Sequence, residues 1–137
     1  MMTRLTLAVA LLTLQPGCNS AKKETLRKEL SHVRIATMLY NKAASDLGRV
    51  PKDEQEFKKV ITDAKIDLGP FKVQSIDEIF VSDRDQQPLV IAYGGPPPNS
   101  DVVVYEQTGV DGKRLIGHRI GMVEEVDEAA FRELVPQ

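Results

Sequence analysis

The chain has 137 residues, with 18 Lys and Arg against 20 Asp and Glu, a net charge of -2, 42% hydrophobic residues and 5% aromatic ones. The length suits one domain, and the balance excludes a disordered or collagen-like chain and lacks the basic excess of a dedicated nucleic-acid binder. One Cys and two His exclude an internal disulfide and any multi-Cys zinc or iron–sulfur site.

The chain opens with a short positive start, Met1–Arg4, followed by the apolar run Leu5–Leu14. A bilayer span needs about 20 apolar residues, so this run is too short for one. It has the length of a signal-peptide core, roughly 7–15 residues. Gln15-Pro16-Gly17-Cys18 ends it. Pro16 stops a helix, and the small Gly17 directly precedes the only Cys. This arrangement resembles the bacterial lipoprotein signal, the lipobox. That family usually has Leu three residues before the Cys, where Gln15 stands here and Leu14 is one further back. The resemblance implies that residues 1–17 are a signal peptide, that Cys18 is lipidated on sulfur, and that residues 18–23 tether the chain to a membrane. Acyl chains such as palmitate contribute about 0.8 kcal/mol per buried CH₂, and two or more hold a protein stably. It further implies a cell-envelope location facing the periplasm or exterior. Asn19, in place of the Asp that signals inner-membrane retention, points to the outer membrane. The plainer alternative is an ordinary secretory signal followed by an incidental Cys.

Glu24–Leu47 reads as a long amphipathic helix. Leu26, Leu30, Val33, Thr37, Tyr40, Ala44 and Leu47 step by three and four, widened by Ala36, Leu39 and Ala43. Gly48 suits its C-cap, and Pro51 blocks continuation. Leu30 and Tyr40 are expected to pack on the protein's own sheet, since Ala, Thr and Tyr make a poor coiled-coil seam. Asp53 followed by Glu56 reads as a capping box for a second, shorter helix ending near Lys65, with Phe57, Val60, Ile61 and Ala64 on one face. The period then changes to that of strands. Asp77–Ser82 and Pro88–Tyr93 form an expected hairpin across the polar turn 83–87. Gly94–Ser100 is a loop. Asp101–Gln107, Lys113–Ile120 and Met122–Val126 are further strands, with turns at Thr108–Gly112 and at Gly121. Gly121 is expected at the first corner of a tight turn with a positive φ. Val123 and Val126 are expected to face the core beside Phe131. Asp127 caps a last helix through Leu134, with Val126 and Phe131 at the staple positions and Pro136 beyond. The fold class is α+β. It comprises a long N-terminal helix, a second short helix, an antiparallel β-meander of four to five strands and a short C-terminal helix, in one domain over 24–137.

A long helix leading into an antiparallel meander resembles the pilin and pseudopilin fold of type IV pili and type II secretion. The tail carries the likeness further: Val104-Tyr105-Glu106, the strand Lys113–Ile120, then Gly121-Met122-Val123 and Phe131-Arg132-Glu133-Leu134. Similar envelope proteins have Asp-Gly-His-Val where Ile120-Gly121-Met122-Val123 stands here. Pilins keep their apolar helix for fibre assembly, whereas here the apolar run precedes Gly17 and is lost with the signal. The resemblance therefore implies the soluble half of that fold on a lipid anchor.

The chemistry-bearing residues are few. No phosphate-binding glycine loop, Gly-x-Ser-x-Gly elbow or His-Glu-x-x-His occurs. His32 is expected on the polar edge of the first helix, and His118 within a strand as a solvated or partly buried residue. Asp83 and Asp85 lack the following ligands of a calcium loop and read as a solvated turn. Asp77 with Glu78, and Glu124 with Glu125, are adjacent on expected strands and so point to opposite faces, as surface charge. Pro96-Pro97-Pro98 reads as a stiffened loop that protects a sheet edge, the alternative being a polyproline segment offered to a partner. Lys22-Lys23 and Lys58-Lys59 are too sparse for a polybasic membrane site. These readings imply no catalytic residue, no cofactor and no metal. They leave a non-enzymatic envelope lipoprotein serving as a scaffold or protein-interaction module, with a membrane and an envelope protein as partners and no nucleic acid. The alternative is a periplasmic small-ligand or metal-binding module. An acid-lined cleft would favour that alternative, and an exposed apolar patch the interaction module.

Overall fold

The computed structural model describes residues 31–137, and over these the chain is α+β, with four helices and one four-stranded antiparallel sheet. The signal segment 1–17, Cys18 with the tether 18–23, and the Glu24–Leu30 part of the expected long helix lie outside the described residues.

Helix α1 spans His32–Leu47, and Ser31 is its N-cap in an extended conformation, accepting from the Arg34 amide. An extended Ser31 means that the helix expected from Glu24 does not run unbroken through this position. Ser competes with helical geometry by offering its own oxygen to the first turn. At the other end Gly48 caps α1 with a positive φ of 70°. The apolar stripe is buried as expected, with Val33, Ala36, Thr37, Leu39, Tyr40 and Ala43 in the interior, and it is broadened by Ile35. Helix α2, Glu54–Asp63, starts on Asp53, whose carboxylate accepts from the Glu56 amide. The Glu56 carboxylate reaches back to the Lys52 amide, one residue earlier than a standard capping box, and takes both Arg49 guanidinium nitrogens. Phe57 and Ile61 are the buried face of α2.

Residues 77–82 depart from the expected strand. Helix α3, Ile76–Ile79, covers their first half, and Ile79 and Phe80 are both buried. A single bridge, Val81 to Pro88, replaces the expected hairpin ladder. The strand pattern misleads because adjacent Ile79 and Phe80 are both buried, which a regular strand with its alternating faces does not allow and the helical turn does. Strand β1 is correspondingly short, Val90–Ile91. Strands β2 (Val102–Tyr105), β3 (Lys113–His118) and β4 (Val123–Asp127) follow as a meander in the order β1-β2-β3-β4. Helix α4, Glu128–Leu134, is capped by Asp127 as expected.

The helices divide between the two faces of the sheet. On one face α1 to α3 bury the larger cluster, in which Phe57 meets Tyr40, Phe80 and Tyr93 edge-on at 5.4–6.5 Å. On the other, α4 packs Phe131 on Tyr105, Val102, Ile116 and Val126. A bulge between Val102 and Val104 adds one residue to β2, so that Val103 and Val104 both join the larger cluster. Val123 and Val126, expected side by side, are three residues apart on a strand and so fall on opposite faces. Val123 packs with the α1 cluster and Val126 with Phe131. Gly117 on β3 lies directly under α1, where a Cβ would collide with Thr37. The missing side chain is what lets the helix backbone approach.

Candidate functional site

Three polar constellations emerge from this architecture. The first is buried beneath the turn 82–87. Glu106 is wholly inaccessible; its carboxylate accepts from the Ser82 hydroxyl and the Leu115 amide, both at 2.8 Å. Arg84 approaches it at 3.5 Å and holds Glu125 of β4 at 2.7 Å. Burial pushes the Glu106 carboxyl above its ordinary value, against the opposing pull of Leu115, Ser82 and Arg84. Asp85 is no solvated residue either. It accepts from the Gln87, Thr108 and Gly109 amides, and these bonds outweigh its burial and hold its carboxyl below the usual range. The network fastens the turn to the sheet.

The second is a cleft of about 510 Å³ at the N-terminus of α1, lined by His32, Ser75, Asp77, Glu78, Val81 and Asp83 among others. Nδ1 of His32 donates to the Val81 carbonyl at 2.6 Å, while Asp83 accepts from the His32 amide. Asp83 thus caps α1 from across the fold. Asp77 is tied to Lys58 at 2.8 Å. Lys59 pairs with Asp63 within α2.

The third is the β3–β4 corner. His118 is 4% exposed. Nδ1 lies 2.8 Å from Asp101, at the approach to β2, and Nε2 lies 2.8 Å from Glu124 on β4. Burial alone would depress the imidazole, but the two carboxylates outweigh it and raise its pKa above 6.5. The partners sit on opposite ring nitrogens, so the three side chains do not converge on one point. Among the described residues no group of three His, Cys, Asp or Glu side chains has metal-holding geometry.

Immediately after His118 comes a three-residue turn, Arg119-Ile120-Gly121, closed by bonds from the Gly121 amide to the His118 carbonyl and from the His118 amide to the Met122 carbonyl. Gly121 has the expected positive φ, 93°, but as the last residue of the turn rather than its first corner. The turn presents Ile120, 79% exposed, and Met122, 47% exposed.

From the sequence alone Gly121 reads as a turn residue and Glu124 and Glu125 as alternating, and their side chains do serve opposite faces, one on His118 and one on Arg84. Both acids read as surface charge, because their partners lie on other elements. Cys18 and Lys22-Lys23 lie outside the described residues. Compared with known proteins, the chain matches no family model, no curated protein and no solved structure.

Proposed function

We propose that the chain is a non-enzymatic cell-envelope lipoprotein, anchored through Cys18, whose folded domain is a protein-interaction module with the soluble architecture of a pseudopilin. The observation that carries this reading is the apolar corner where Ile120 and Met122 are exposed side by side at the end of the β3–β4 hairpin.

Two measurements test the two halves of the reading. Acyl labelling of the full chain should appear in the wild type and vanish in Cys18→Ala; label retained in the variant, or a wild type that fails to sediment with membranes, ends the anchor. A photo-crosslinker at Ile120 should capture an envelope protein in living cells, and the same probe at the exposed Asp63 should not. Equal capture from both positions would remove the corner as a docking site.

The cleft beside His32 favours the second reading, a small-ligand module, because an imidazole and three carboxylates line it. Titration with polyamines or divalent cations should then shift the His32 ring resonances before any others.

A further inference from the structure

We propose that His118 is a pH-responsive clamp: charged, it ties Asp101 to Glu124 and fixes the turn that presents Ile120 and Met122, and on losing its proton it releases one carboxylate and loosens that turn. The inference extends the docking reading above, but its test requires no partner. The geometry supplies the argument. Both ring nitrogens are at 2.8 Å from carboxylates, and an ionised carboxylate only accepts. The imidazole must therefore donate twice, which only the cation can do. In the neutral ring one nitrogen turns a lone pair toward a carboxylate, so one bond is lost and a repulsion replaces it. The imidazole side chain is 5% exposed while Asp101 and Glu124 are 54% and 41% exposed, so the released carboxylate turns to water and the ring is left without that partner.

The turn depends on this clamp through the backbone. The amide and carbonyl of His118 close both turn hydrogen bonds, and the Arg119 amide donates to the Asp101 carbonyl. One clamped segment therefore carries the whole corner. Asp101 and Glu124 are the charges acting on the ring. On the same face, α4 directs Glu128 to Arg114 and Arg132 to Glu128, with Glu133 exposed. Arg119 follows in the turn, and α1 on the opposite face brings Tyr40, whose hydroxyl donates to the Ala92 carbonyl. Because the folded pKa is raised, the stabilisation is complete below about pH 6.5 and is lost as pH rises through the folded value.

The test is NMR on the full-length protein from about pH 5 to about pH 9, across the range in which His titrates. Ring ¹⁵N shifts follow His118, and amide exchange, corrected for its intrinsic pH dependence, follows the turn. We expect a midpoint above 6.5 and a loss of protection at Gly121 of roughly tenfold through that midpoint, the equivalent of one hydrogen bond, with the Glu106 amide unchanged. Asp101→Asn, at an exposed position, should move both the midpoint and the loosening to lower pH together. His118→Gln should leave Gly121 weakly protected at every pH. A midpoint at or below 6.5, or protection at Gly121 that ignores the titration in wild type and in Asp101→Asn, overturns the clamp. These readouts decide it even if Ile120 docks nothing.

Discussion

Gly121 and Met122 are neighbours in one turn, yet they fail in different ways when replaced. A Cβ on Gly121 would meet nothing within 4 Å, so the cost of a side chain there is conformational. Holding an L-residue at a φ of 93° costs about 1–3 kcal/mol, with a β-branched side chain toward the upper end. Gly121→Val should therefore lower the urea midpoint clearly. Met122→Ser, at a side chain 47% exposed, should stay within about 0.5 kcal/mol of wild type. The reverse order would show that the turn tolerates strain and that Met122 packs. Glu56 makes a contrasting case. Arg49 and the Lys52 amide hold its carboxyl down at about 2, against an ordinary 4.5. A depressed folded pKa adds stability that is present above about pH 4.5 and lost as pH falls toward 2. Arg49→Ala should bring the Glu56 midpoint, followed by carboxyl NMR, back toward 4.5; an unmoved midpoint would transfer the effect to the Lys52 amide.

Elements were legible from the sequence where local chemistry alone decides them. Asp53 and Asp127 each mark a helix start because a short acid caps the amide three residues on. β3 and β4 were legible because a turn residue separates two runs of strand formers. The segment 77–82 was not. Its apolar residues fit a strand equally well, and what decides it is the pocket formed around Ile79 and Phe80 by helices distant in sequence. The polar sites were hidden for the same reason. Asp101 is 17 residues from His118, and Ser82 is 24 from Glu106, so no spacing rule joins them. The Glu106 network now gives an element-scale expectation. Glu106→Ala leaves the Ser82 hydroxyl and the Leu115 amide without their buried acceptor, at about 1–3 kcal/mol for each unsatisfied group. The turn 82–87 should detach first, seen as early exchange of the Gln86 amide. Loss of stability spread evenly over the sheet would show that the network does not hold that turn in particular.

For the molecule as a whole, the apolar stripe of α1 is spent internally. Tyr40 is wholly buried, its ring on Phe57 and its hydroxyl on the Ala92 carbonyl. Tyr40→Ala should cost about 3–5 kcal/mol, as large aromatic truncations do. The melting temperature of the wild type should not depend on protein concentration. A midpoint rising steeply with concentration would make α1 a seam between copies. Leu30, expected to share this role, lies outside the described residues.

The seat of α1 over Gly117 has a consequence for descent. A Cβ at 117 and the hydroxyl of Thr37 claim the same volume, so the two positions can drift only in concert: a relative bearing Ala at 117 needs Ala or Gly at 37. Gly117→Ala alone should cost about 1–3 kcal/mol through overpacking. Adding Thr37→Ala should recover part of that loss, a coupling of about 0.5–3 kcal/mol in a double-mutant cycle. Strictly additive losses would show that the helix simply shifts aside. If the coupling holds, this pair of small residues is a mark by which distant kin of the chain can be sought after the rest of the sequence has diverged.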